Sequence, residues 1–95
     1  MYTLVPSKIF LEQVSVLSSK TKQILADKLR LVKKNPFRYK RIQGYGLLLF
    51  RIRCKDNKKE LRVVYCVEGT IVKIVCILDR AHEYKDLKKY LKKSR

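Results

Sequence analysis

Ninety-five residues make one domain, spanning 1–95, and a hydrophobic content of 46% is enough for a modest core, which excludes a disordered chain. The net charge of +16, from 24 Lys and Arg against 8 Asp and Glu, points to a polyanionic partner: nucleic acid, an anionic membrane surface or an acidic protein. The longest apolar run, Ile74 to Leu78, is far too short to cross a bilayer, the start MYTLVPSK has no signal pattern, and three cysteines without CxxC spacing form no zinc motif. These features predict a cytoplasmic protein with no membrane association, no bound metal and no cofactor.

In chain order, Tyr2 to Val5 reads as a short first strand ended by Pro6, and Ser7 as a helix N-cap. Phe10, Val14 and Leu17 fall at i, i+4 and i+7, one helical stripe. Ser18-Ser19 breaks that helix and can cap the next, whose stripe is Leu25, Leu29 and Val32 with Ile24 and Leu31 beside it. Asn35-Pro36 stops the second helix, because the residue before proline disfavours the α region. The short link between the two stripes predicts an antiparallel helical hairpin, and its apolar faces require a sheet to cover. The basic connector Phe37 to Gln43 has room for a short strand at Tyr39 to Gln43, and Gly44-Tyr45-Gly46 reads as a turn.

Leu48 to Arg80 carries the strongest pattern. Leu48, Phe50, Ile52 and Cys54 share one parity, and Leu49, Arg51 and Arg53 the other. After a polar loop at Lys55 to Lys59, Leu61, Val63, Tyr65 and Val67 alternate with Arg62, Val64 and Cys66. Glu68-Gly69 turns the chain into a third strand, Thr70 to Leu78, closed by Arg80. Two hairpin strands must bury their apolar sets on one side. Leu61 therefore joins the face of Ile52 and Cys54, Arg62 lies beside Arg53, and Val64 lies beside Arg51. Facing like charges cost a sheet about 0.2–1 kcal/mol, so the cluster predicts an anion site, most simply for phosphate; a solvated outer face is the bland alternative. Glu83 to Lys93 reads as a last helix with Tyr84, Leu87 and Leu91 on one side. The predicted fold is α+β: a helical hairpin packed on a mostly antiparallel sheet of four or five strands, with a C-terminal helix.

The Asn35-Pro36 helix end, KRIQGYG at Lys40 to Gly46, FRIR at Phe50 to Arg53, LRVVYCV at Leu61 to Val67 and LDRAHEY at Leu78 to Tyr84 occur in an order and spacing that resembles the RelE/ParE superfamily of type II toxin–antitoxin toxins. The resemblance implies a toxin whose site is Arg51, Arg53, Arg62 and Arg80, with a C-terminal tyrosine best matched by Tyr84. The four-residue step from Arg80 is shorter than in some RelE members, and relatives with a C-terminal histidine make His82 a rival. It further implies mRNA on the ribosome as substrate and an acidic, RelB-like antitoxin, encoded nearby, as partner.

Three functions stay open on that resemblance: a ribosome-dependent endoribonuclease that arrests translation, a ParE-like gyrase poison without chemistry, and a catalytically weakened RNA- or protein-binding relative. Cleavage through the 2′-hydroxyl needs a base, a stabiliser of the pentavalent phosphate and an acid for the 5′-oxygen. Arginines suit the second task and stay too firmly protonated for the first. Tyr84, His82, or positioning on the ribosome alone must supply the rest, and a metal-independent mechanism is expected.

Overall fold

The computed structural model describes residues 1–79 and 86–93. The elements are β1 (Thr3–Pro6), α1 (Lys8–Ser15), α2 (Ser19–Lys34), β2 (Lys40–Ile42), β3 (Leu49–Asp56), β4 (Lys59–Glu68), β5 (Ile71–Asp79) and α3 (Leu87–Lys93). The strands form one sheet in the order β1-β5-β4-β3-β2. Only the β1–β5 pair is parallel; the other three pairs are antiparallel. The fold is thus the expected α+β arrangement, with the optional short strand present as β2. No described helix is long and apolar enough to cross a membrane.

Each helix boundary has a local cause. The Ser7 hydroxyl accepts from the Phe10 N–H at 3.0 Å, and the Ser18 hydroxyl accepts from the Thr21 N–H at 3.2 Å, so both helices start on a serine cap. Asn35 leaves the helical region at the end of α2, and its side chain accepts from the Phe37 N–H to carry the chain past Pro36. Leu17 lies just beyond α1 yet still packs on the core with Val14. The last helix begins at Leu87 among the described residues, later than periodicity predicts; the expected start at Glu83 lies outside them.

The sheet is covered on both sides. Phe10, Leu25 and Val32 of the helices meet Phe50, Ile52, Cys54, Leu61, Val63, Tyr65, Val72, Ile74 and Ile77 on one face. Ile42, Leu49, Val64, Cys66, Val75, Cys76, Leu78 and Leu87 form a second cluster on the other, under α3. Seven consecutive residues of β4, Leu61 to Val67, are buried as a result. An aromatic ladder, Tyr2–Phe37–Phe50–Tyr65, runs from β1 to β4. The Tyr65 hydroxyl closes it by donating to the Pro36 carbonyl at 2.6 Å, and burial pushes that phenol well above its usual range. The polar loop expected at Lys55 to Lys59 is tighter than that. Lys55 pairs with Glu60 and Asp56 with Lys59, which leaves a turn at Asn57-Lys58 with Asn57 at φ +58°. Asparagine tolerates that left-handed conformation.

The register of β4 on β5 slips at Val64/Tyr65: Val64 faces Cys76 and Tyr65 faces Ile74, so Val75 is an extra residue. This lets Ile74 and Ile77 point to the helices while Val75, Cys76 and Leu78 point to α3. The displaced backbone is satisfied from α1 and its cap. The Ser7 hydroxyl donates to the Val75 carbonyl at 2.6 Å. Gln13 accepts from the Ile77 N–H at 2.6 Å and donates to the Ile77 carbonyl at 2.9 Å, standing in for the strand that β1 ceases to provide after Pro6. Replacing Gln13 with alanine should therefore cost about 1–3 kcal/mol by leaving both groups of Ile77 exposed to poor partners. Urea denaturation checks this, with Gln23→Ala on the exposed face of α2 as the near-neutral control.

Asp56 ties the hairpin turn to the start of α2. Its carboxylate accepts from the Thr21 hydroxyl at 2.7 Å and from the Ser18 N–H at 3.3 Å, and these bonds, Thr21 first, hold its pKa below the ordinary carboxylate value. A depressed folded pKa contributes stability that is complete above the unfolded value and is lost as pH falls through the folded one. The stability gap between wild type and Asp56→Asn should be constant from neutral pH to about pH 5 and narrow below it. A gap that widens on acidification would contradict the assignment.

Candidate anion site on the sheet

Pairing partners in a sheet share a face, so the register assembles the site. On one rung Lys40 of β2 faces Arg51 of β3, and Arg51 faces Val64 of β4. On the next, Arg53 faces Arg62, and Arg62 faces Leu78 of β5. Arg53 and Arg62 thus stand opposite each other, as the alternation predicts. Lys40, Arg51, Arg53 and Arg62 make a patch of four cations over two rungs, which lie about 7 Å apart.

The patch does not sit on a bare outer face. Beside it the same face is apolar and covered: Leu49, Val64, Cys66, Cys76 and Leu78 are buried, with Leu87 of α3 packed on them. Arg62 lies at the border and keeps only 8% of its surface, while Arg51 is half-buried and Arg53 is exposed. The bland alternative of a solvated outer face does not hold for Arg62: β4 is central and both its faces are covered, so its arginine is buried. Glu60 flanks the patch, with its carboxylate oxygen 3.9 Å from Arg53 Nε, too long for a strong pair.

Periodicity alone missed Lys40, Tyr39 and Lys28. Lys40 occupies the strand position two before the buried Ile42, a parity signal in only three residues of strand. Lys28 falls at i+3 from Leu25 and i−4 from Val32, on the flank of the buried stripe of α2. Its ammonium reaches over the sheet edge and donates to the Arg53 carbonyl at 2.6 Å. Lys28, Tyr39, Lys40, Arg51 and Arg53 surround an open cleft of about 350 Å³. Arg80, His82 and Tyr84 lie outside the described residues.

The cysteines take no part in this patch. Cys54, Cys66 and Cys76 are free and buried, and burial raises all three thiols, Cys76 to about 12. They behave as small hydrophobes.

No protein-family model and no curated protein matches the sequence. Solved structures do match. A free double arginine-to-alanine mutant of E. coli toxin RelE superposes with a TM-score of 0.77 at 20% identity, covering 97% of this chain and 96% of that one. The toxin in the intact E. coli RelBE toxin–antitoxin complex matches with a TM-score of 0.71 at 21% identity, over 81% of this chain and 94% of the other. Isolated E. coli RelE toxin matches with a TM-score of 0.70 at 22% identity, over 96% and 99%. The chain has the RelE fold.

The border position of Arg62 makes a stability test possible. Arg62→Leu should leave the melting temperature unchanged or raise it, since it removes a facing like charge and places an apolar side chain beside Val64 and Leu78. Arg62→Ala should instead lower it, because the stem of the arginine fills space that alanine leaves empty. Thermal melts of the two variants beside wild type separate charge from volume.

Proposed function

We propose that this chain is a toxin of a toxin–antitoxin system, acting as a ribosome-dependent endoribonuclease on mRNA. The observation that carries the reading is the Arg53–Arg62 cross-strand pair on a RelE fold, with Arg62 buried at the margin of a basic patch. Facing guanidiniums oppose strand pairing, and an anion placed between them relieves that repulsion. A phosphate does so through charge-assisted, often bidentate, hydrogen bonds.

In this reading Arg51, Arg53 and Arg62, together with Arg80, hold the scissile phosphate and stabilise its pentavalent transition state. The 2′-oxygen attacks the phosphorus and the 5′-oxygen leaves with a proton. Tyr84 takes the 2′-hydroxyl proton, the role in which positive charge brought close to a phenol would help it by favouring the phenolate. His82 is the alternative base, or the acid for the leaving oxygen. The partner is an acidic antitoxin encoded nearby. The charge of +16 supports it, as does the E. coli RelBE complex among the structural matches.

Induction of the chain in growing cells should stop protein synthesis within minutes while DNA replication continues, and mRNA 5′-ends should accumulate inside codons. Arg62→Leu should abolish most of the toxicity although the protein remains folded. Tyr84→Phe should slow single-turnover cleavage on programmed ribosomes roughly 10²–10⁴-fold, the range of a lost general base. Translation that continues while a DNA-damage response appears would refute the ribonuclease reading and point to gyrase.

A further inference from the structure

We propose that the cleft between α2 and the outer edge of β3 holds a second backbone phosphate of single-stranded RNA, next to the one gripped by the arginine pair, with Lys28 and Lys40 as its cations. This rests on the arginine patch being the RNA site and extends it by one nucleotide along the strand.

The cleft opens because β2 is short. Lys40 faces Arg51, and β3 runs on to Asp56 with no strand among the described residues alongside its outer edge. Lys28 spans the gap from α2 and donates one hydrogen bond to the Arg53 carbonyl at 2.6 Å. An ammonium has three donors, so two remain, on a nitrogen whose position is already fixed. That lowers the ordering cost a free surface lysine would meet on binding a ligand.

The lining is one-sided. Among the described residues four cations and a phenol surround about 350 Å³, with no carboxylate in the lining. Tying a strand edge to a helix needs a donor but not a charge, and a fourth charge here adds to the repulsion. The arrangement also continues the patch: Arg51 and Arg53 line the cleft while Arg53 faces Arg62, so a chain of phosphates can pass from one to the other without leaving positive surface.

The test uses the full chain and labelled single-stranded 2′-O-methyl oligoribonucleotides of two to eight residues, which bind without being cleaved. Fluorescence anisotropy is followed against salt for wild type, Arg62→Leu, Lys28→Gln, Lys40→Gln, Lys28→Arg and Lys33→Gln, the last a lysine of α2 outside the cleft. Lys28→Gln and Lys40→Gln should each lose about threefold in affinity at moderate salt and flatten the log–log salt slope by about 0.7, the value of one single-strand phosphate contact. Lys28→Arg should restore both, and Lys28→Gln should melt as wild type does because glutamine keeps a donor. Equal losses in Lys33→Gln and Lys28→Gln would overturn the proposal, since charge anywhere would then suffice. So would a Lys28→Gln variant that binds like wild type while Arg62→Leu does not. If Arg62→Leu binds normally and Lys28→Gln does not, the cleft stands and the arginine reading fails.

Discussion

Two guanidiniums face each other across the β3–β4 ladder, and one of them is buried. Among the described residues Arg62 is the only charged side chain in that condition. Like charges opposite each other oppose pairing. The fold therefore carries a local penalty on its central strand, and other features make that strand tolerate it. Every residue from Leu61 to Val67 is buried, the ladder Tyr2–Phe37–Phe50–Tyr65 braces one face, and Leu87 covers part of the other. Local penalties of this kind persist at functional sites when the surrounding structure over-determines them.

The same register that opposes the arginines also sets the exposed Arg53 beside the buried Arg62. Arg53 reaches solvent, Arg51 and Lys40 stand one rung away, and the apolar cluster under α3 begins immediately beside Arg62. An anion on this patch meets water on one side and a low-dielectric wall on the other, which strengthens each charge-assisted bond. The sheet's outer edge supplies further positive surface through Lys28, whose place depends on how α2 crosses β3.

Much of this was legible in the residues. Alternation over Phe50–Cys54 and Leu61–Val67 set the hairpin register, because each strand had one unbroken apolar parity to bury. Ser7, Ser18 and Asn35-Pro36 announced the helix boundaries through chemistry that acts within four residues. The bulge at Val75 was not legible: Ile71 to Leu78 is apolar on both parities apart from Lys73, so a one-residue slip leaves no trace in its pattern. Gln13 and Lys28 were also silent, since each acts across more than twenty residues of sequence on a backbone group whose need arises only once neighbouring strands end. Arg62 was assigned to the right face, but its burial was not legible. Parity gives the face, whereas depth depends on α3 covering the adjoining surface, a tertiary fact.

The claim that the arginine pair exists for an anion is best tested by a double-mutant cycle on Arg53 and Arg62, using leucine at both positions and unfolding free energies measured without and with saturating inorganic phosphate. The account predicts an unfavourable coupling between the two arginines in phosphate-free buffer, of about 0.2–1 kcal/mol, that vanishes or becomes favourable when phosphate is bound to the native state. A coupling near zero in both buffers, or one that phosphate changes no more than sodium chloride does at equal ionic strength, would contradict it.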